Sequence, residues 1–301
     1  MKNLKRNALV LMVTFLIGSM AACNPVTATP TAIPTVVSTV SPIDEQHVLT
    51  IGGMERTYFL HIPSGLNDHE SVPLVFVFHG FQENGAFARN YTGMDKIADA
   101  NRFIVVYPDG SGSSGSLSWN ASGCCGYALQ NNVDEPAFVR AIIADVETIV
   151  KVDSRRTYAA GFSNGALLSY RLACEMSDTF AAIAPTGGVL MYSPCQPQQP
   201  VSIMHVHGIN DRVVPIEGGG SGIQFPPVEE SLAAWAGLDG CSGEESVEKD
   251  GVLAHTTYGE CKPGVSVELY VVDGTGHGWP SQYIAPISQM IWDFFSTHPK
   301  P

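Results

Sequence analysis

From residue 56 onward, short apolar runs punctuate the chain, and the longest of them do not alternate with polar residues. Leu74–Phe78 reads LVFVF and Phe103–Tyr107 reads FIVVY. Such continuous runs are expected of strands covered on both faces, as in a parallel sheet. Pro108-Asp109-Gly110 stops the second run. Thr157–Ala160, Ala181–Ala184, Val201–Val206 and Val267–Val272 have the same character, and Arg56–Ile62 is rich in aromatic and β-branched residues. Helical spacing fills the intervals. In Asp134–Val150, Asp134 is placed to cap, Pro136 falls in the first turn where no N–H is required, and Phe138, Ile142, Val146 and Ile149 recur on one face. Further helices are expected at Met94–Ala100, Asn164–Glu175, Val228–Trp235 and Ile287–Ser296. Strands alternating with helices predict βαβ units and a mostly parallel central sheet flanked by helices. No internal repeat or second linker appears, so residues 44–301 read as a single α/β domain.

Composition narrows the function classes. The chain has 301 residues, 45% of them hydrophobic and 15% charged, which excludes a disordered, collagen-like or coiled-coil protein. Its net charge of −13 offers no footprint for nucleic acid and suits a neutral or apolar substrate better than a phosphorylated one.

The first 43 residues read differently. Lys2, Lys5 and Arg6 precede an uncharged, mostly apolar run from Ala8 to Ala22, short for a membrane span and suited to the core of a signal peptide. The run closes on Met20-Ala21-Ala22-Cys23, which resembles the bacterial lipoprotein signal, with Met20 where Leu is usual. That resemblance implies cleavage after residue 22 and a lipid on Cys23; ordinary cleavage or an uncleaved anchor are the alternatives. Removing residues 1–22 takes away three positive charges and deepens the net charge from −13 to −16. Residues 23–43 then form a Thr/Pro-rich linker, whose Asn24–Pro42 stretch is uncharged and holds four prolines. Such a chain favours extended backbone and would reach roughly 60 Å. The expected localisation is exported, as a cell-surface or envelope lipoprotein or a secreted protein, touching the membrane only through the N-terminal lipid.

The chemistry centres on Gly161-Phe162-Ser163-Asn164-Gly165. A Gly-x-Ser-x-Gly pentad is weak by itself. Between a strand (TYAA) and a helix (NGALLSYRLA) it makes a nucleophile elbow, with the serine exposed at the strand end. The first N–H groups of the helix then face the place where negative charge develops. Serine needs a base oriented by a third group. His277, in the Gly-rich loop after the last strand run, is the expected base, and Asp211, in HGINDRVVP after a buried strand, the expected acid. Asp273 is the rival acid, four residues from His277, and reads better as a loop cap. The order Ser163, Asp211, His277 is that of the α/β-hydrolase fold. The oxyanion hole is expected from the backbone N–H groups of Asn164 and of Phe81, in the His79-Gly80-Phe81 turn, with His79 structural.

His205 and His207 lie two apart on a strand and share a face, but no carboxylate or Cys cluster stands at ligand spacing nearby, so no metal and no cofactor is expected. There is no Cys-x-x-Cys and no phosphate loop. Trp279, two residues past His277, and Trp119 are the candidate substrate-contacting rings.

The segments PLVFVFHG, FIVVYPDG, WNASGCCG, VDEPAFV, YAAGFSNGALLSYRLACE, VHGINDRVVP and GTGHGWP together resemble the secreted esterases that include bacterial feruloyl esterases of the carbohydrate esterase family 1 type and polyhydroxybutyrate depolymerases. They span residues 55–295. VDEP stands where two Asp are usual, and WPS where WPG is frequent; neither touches the triad. The resemblance implies an α/β-hydrolase fold and ester hydrolysis through an acyl-enzyme without a cofactor. A feruloyl or acetyl esterase on plant polysaccharide, a short-chain polyester depolymerase and a non-catalytic surface binding lipoprotein are the three candidates. The intact triad argues against the last. A monomer is expected.

Seven cysteines is an odd count. A lipidated Cys23 would leave six in an oxidising compartment. Cys241 and Cys261 flank one excursion and Cys174 and Cys195 bracket the strand after the nucleophile helix, so each couple is expected to pair. Cys124 and Cys125 would then form a vicinal disulfide or exchange partners with the others.

Overall fold

The computed structural model describes residues 39–280 and 284–300. The expected signal peptide, Cys23 and the expected linker as far as residue 38 lie outside the described residues. A hairpin opens the fold, β1 (Ile43–Ile51) and β2 (Met54–Ile62), followed by β3 (Val72–Phe78), α1 (Gly85–Thr92), α2 (Met94–Asn101) and β4 (Ile104–Pro108). A small ribbon, β5 (Ser111–Ser113) and β6 (Ser116–Ser118), leads to α3 (Gly126–Gln130) and α4 (Glu135–Glu147). Then come β7 (Val152–Phe162), α5 (Asn164–Glu175), β8 (Ala182–Thr186), β9 (Ser202–Gly208) and α6 (Val228–Leu238). A second hairpin, β10 (Ser246–Asp250) and β11 (Leu253–Thr257), precedes β12 (Val267–Val272) and α7 (Ile287–Thr297).

Ten strands form one sheet in the order β1-β2-β4-β3-β7-β8-β9-β12-β11-β10. The six central strands, β4 to β12, are parallel. The two flanking hairpins join them antiparallel. Every residue of β3, β4, β8 and β9 is buried, which is why their sequences carry no polar alternation. Successive side chains of β3 enter opposite layers. Leu74, Phe76 and Phe78 join α4, α5 and α6 in one core, while Val75 and Val77 join α1, α2 and α7 in the other. In the second core Tyr158 stacks on Phe295 at 4.7 Å and Phe103 on Trp292 at 4.0 Å.

Local signals act as expected at α4, where the Asp134 side chain accepts the Ala137 N–H at 3.0 Å and Pro136 occupies the first turn. Residues just before 44 already bond to the domain. Thr39 bridges Asn67, and the Val40 N–H donates to the Leu66 carbonyl at 2.9 Å. The cysteines pair as Cys174–Cys195, Cys241–Cys261 and the vicinal Cys124–Cys125. No helix among the described residues is long and apolar enough to cross a membrane.

Candidate active site

The parallel strands β7, β9 and β12 end on the same side of the sheet, β8 lying between the first two, and each is followed by one residue of the expected triad. Ser163 sits between β7 and α5 with φ 53° and ψ −117°. That region is unfavourable for a residue with a Cβ and marks a turn held by its surroundings. The surroundings include its two glycines. A Cβ on Gly161 would collide with the Gly165 carbonyl, and one on Gly165 with the Phe78 carbonyl. The Ser163 N–H donates to the Thr186 carbonyl on β8 at 3.0 Å.

The Ser163 hydroxyl lies 2.9 Å from His277 Nε2, and His277 Nδ1 lies 2.7 Å from Asp211 Oδ2. The other Asp211 oxygen accepts the N–H groups of Val213 and Val214 at 2.8 and 2.9 Å. Burial works against its charge, but the hydrogen bonds from His277, Val214 and Val213 hold the carboxyl below its ordinary range. Asp273 is exposed and accepts the Gly274 N–H, a loop cap. The Phe162 ring stands 4.9 Å from the His277 ring and covers the imidazole.

The turn after β3 is built around its own carboxylate. Glu83 Oε2 accepts the Gly80 N–H at 2.7 Å, and the Glu83 N–H donates back to the Gly80 carbonyl at 3.3 Å. Gln82, at φ 66°, donates its N–H to the Leu117 carbonyl. The Phe81 N–H is left without an acceptor among the described residues. The Asn164 N–H, first of its helix, has no intrahelical acceptor either. These are the two donors expected of an oxyanion hole. Burial raises the Glu83 carboxyl above its ordinary range, opposed by the Gly80 N–H and by His277. His79 is structural. Its Nδ1 bonds the Gly80 carbonyl at 2.6 Å, its Nε2 accepts the Gly110 N–H at 2.9 Å, and burial lowers it to about 4.

Sequence reading missed the second role of Asn164. Its buried amide accepts the Trp119 N–H at 2.7 Å and donates to the carbonyls of Trp119 at 3.3 Å and Cys124 at 3.1 Å. It thereby clamps the WNASGCCG segment against the elbow. From the other side, buried Glu135 accepts the Asn120 N–H and pairs with Arg56, both at 3.0 Å. Gly126, at φ 73°, lets the Phe81 ring close over this segment, since a Cβ there would meet that ring.

Trp119 is a correction. It is fully buried, donates its indole N–H to the His79 carbonyl at 2.9 Å and packs edge-on against Phe78, so it holds the turn after β3 and presents no face to solvent. Trp279 is only 5% exposed and donates its indole N–H to Ser288 at 3.1 Å; its edge borders a cleft of about 330 Å³ with Tyr91, Lys96 and Gln289. The exposed aromatic surface here belongs to Phe81, Phe87 and Tyr91. Phe87 and Tyr91 stand 5.1 Å apart on α1, and Tyr91 meets Phe162 edge-on at 5.8 Å. Their i, i+4 spacing in GAFARNYT was the available signal.

His205 and His207 face the same layer but bond to each other, Nε2 to Nδ1, at 3.0 Å. Among the described residues, one cluster has metal-ligand spacing, Asp44, His61 and Asp95, and the Arg89 guanidinium already pairs with both of its carboxylates.

Comparison with known proteins gives the family and the fold. The family model described as esterase PHB depolymerase matches residues 56–226. Feruloyl esterase B of Piromyces equi is 29% identical over 250 residues, covering 79% of this chain and 44% of its own length. A bifunctional acetylxylan esterase/xylanase of Neocallimastix patriciarum is 27% identical, covering 81% of this chain and 33% of its own length. The chain thus spans less than half of either relative. Feruloyl esterase C of Emericella nidulans, 27% identical, is covered over 83% of its length against 80% of this chain. Among solved structures, acetyl xylan esterase from Aspergillus awamori superposes with a TM-score of 0.62 at 17% identity, covering 83% of this chain and 99% of that one. The large mixed sheet flanked by helices is the expected α/β-hydrolase architecture.

Proposed function

This chain belongs to the esterase PHB depolymerase family, and we propose that it is a carboxylic ester hydrolase with Ser163, His277 and Asp211 as its catalytic residues. The observation that carries this reading is the continuous hydrogen-bonded line from Ser163 Oγ through both His277 nitrogens to Asp211. His277 Nε2 takes the Ser163 proton as Oγ attacks the ester carbonyl. The carbonyl oxygen, now an oxyanion, is held by the N–H groups of Phe81 and Asn164. His277 then protonates the departing alkoxide, the alcohol leaves, and a water attacks the acyl-enzyme along the same route to release the acid. Asp211 fixes the imidazole tautomer and stabilises the imidazolium.

The substrate class we infer is a hydroxycinnamoyl or acetyl ester of plant polysaccharide. The names of the relatives support it, as does the exposed aromatic surface of Phe81, Phe87 and Tyr91 beside the nucleophile. The family description favours a second reading, a polyhydroxybutyrate-type polyester. Relative kcat/KM on methyl ferulate, acetylated xylan and a polyhydroxybutyrate suspension separates the two. Ser163→Ala should lose at least about 10³-fold in kcat on the best substrate; near-wild-type turnover would sink the nucleophile assignment. We further propose that residues 1–22 are a signal peptide, that Cys23 carries a lipid and that the Thr/Pro-rich segment up to residue 38 tethers the folded domain to a membrane. Labelled palmitate should enter the full-length chain and not Cys23→Ser; equal labelling of both rules out this anchor.

A further inference from the structure

A second line of hydrogen bonds runs behind the acid. Tyr170, on the helix that starts at the nucleophile, places its hydroxyl 2.8 Å from His205 Nδ1. His205 Nε2 meets His207 Nδ1 at 3.0 Å. His207 Nε2 lies 2.8 Å from the Val214 carbonyl and 3.5 Å from Asp211 Oδ2. All three side chains are fully buried.

The direction of this line follows from its last member. A carbonyl can only accept, so His207 Nε2 carries a hydrogen. A neutral His207 then has a bare Nδ1, which must accept from His205 Nε2–H. That leaves His205 Nδ1 bare, to accept from the Tyr170 hydroxyl. Both rings are neutral, since burial lowers their affinity for a second proton. One residue, Val214, is therefore held at both ends. Its carbonyl accepts from His207, and its N–H donates to Asp211 Oδ1.

We infer that Tyr170, His205 and His207 form a directed hydrogen-bond chain that fixes the Asp211 carboxylate against His277, which makes them positioning residues for ester hydrolysis. The inference rests on the catalytic reading of Ser163, His277 and Asp211. The chain ties the nucleophile's helix, through strand β9, to the loop of the acid, so two of the three catalytic loops share one polar strut. It gives the His205–His207 pair a use that needs no metal. The titratable groups facing it are Asp211, His277 across the site and, at the Tyr170 end, Tyr258.

The test uses the full chain with p-nitrophenyl acetate. His207→Leu supplies neither donor nor acceptor, so the acid's loop loses its strut. We expect kcat to fall about 10- to 100-fold with little change in KM. His207→Gln offers one donor and one acceptor and should recover most of kcat. Tyr170→Phe removes a single oxygen and should lower kcat by less, again with KM little changed; it decides the matter if His207→Leu does not fold. Folded variants with a lowered melting temperature but unchanged kcat would overturn the positioning role. Ser163→Ala, run alongside, separates the two readings: if it stays active the catalytic assignment fails, and if it is dead while His207→Leu is unaltered only the chain fails.

Discussion

Replacing Asn164 with Asp tests how the oxyanion site is held together, because the two side chains have one shape and opposite hydrogen-bonding on one atom. The Asn164 amide oxygen accepts the Trp119 N–H, and a carboxylate oxygen can do the same. The amide nitrogen donates to the carbonyls of Trp119 and Cys124. In Asn164→Asp both donations become confrontations between oxygens inside a buried site. Each orphaned buried carbonyl costs about 1–3 kcal/mol, so the variant should lose about 2–6 kcal/mol. At about 2–4 °C per kcal/mol for a domain of this size, the melting temperature should fall by roughly 10 °C. A pH dependence marks the mechanism. The new carboxyl, desolvated and facing carbonyls, has a folded pKa raised above its unfolded value. Its protonated form donates to one of them, so the deficit shrinks as pH falls from 7 toward 5. Thermal unfolding followed by circular dichroism at pH 7 and pH 5, for wild type and variant, reads both effects. A melting temperature within about 2 °C of wild type at pH 7, or a deficit that does not shrink on acidification, refutes the clamp.

Asp211→Asn should lower kcat by about 10⁴-fold with little change in KM. The N–H groups of Val213 and Val214 demand an oxygen, which turns the new NH₂ toward His277 Nδ1 and forces the imidazole proton onto the nitrogen facing Ser163; a loss under about tenfold in steady-state kinetics would contradict this. His79 predicts acid sensitivity of the fold. Its pKa is lowered to about 4 when folded, so the stability it contributes is complete above the unfolded value of about 6.5 and is lost as pH falls toward 4. Over that window it amounts to about 3 kcal/mol, and urea unfolding of His79→Asn should show a pH slope shallower by about one proton. Opening the Cys241–Cys261 bridge with paired Ser substitutions should cost about 3 kcal/mol from the freed loop of about 20 residues; an unchanged urea midpoint would show that the bridge does not stabilise the fold.

Legibility in the sequence followed burial. β3, β4, β8 and β9 are covered on both faces, so their apolar runs stood out at once. β1 and β10 did not, because an edge strand such as SVEKD, exposed throughout, has no apolar face to betray its period. α1 begins with Gly and keeps Phe87 and Tyr91 in solvent, which hid both the helix and its aromatics. The positions of Ser163, Asp211 and His277 could be read because each follows a recognisable strand. The long-range partners could not be. Nothing local in WNASGCCG says that Trp119 points inward to His79, or that an amide 45 residues away will clamp its backbone.

The left-handed turn at Ser163 has an evolutionary consequence. A side chain held at φ 53° costs the fold on the order of 1–3 kcal/mol, which a glycine at the same place would largely avoid. The residue proposed to attack the ester is thus one the scaffold would be more stable without. Stability alone would relax this position, so under the proposed mechanism a requirement for turnover would be what holds serine there. A lineage freed from that requirement would drift toward glycine at the elbow with its sheet, clamps and bridges intact, and a well-folded descendant would be no guide to an active one.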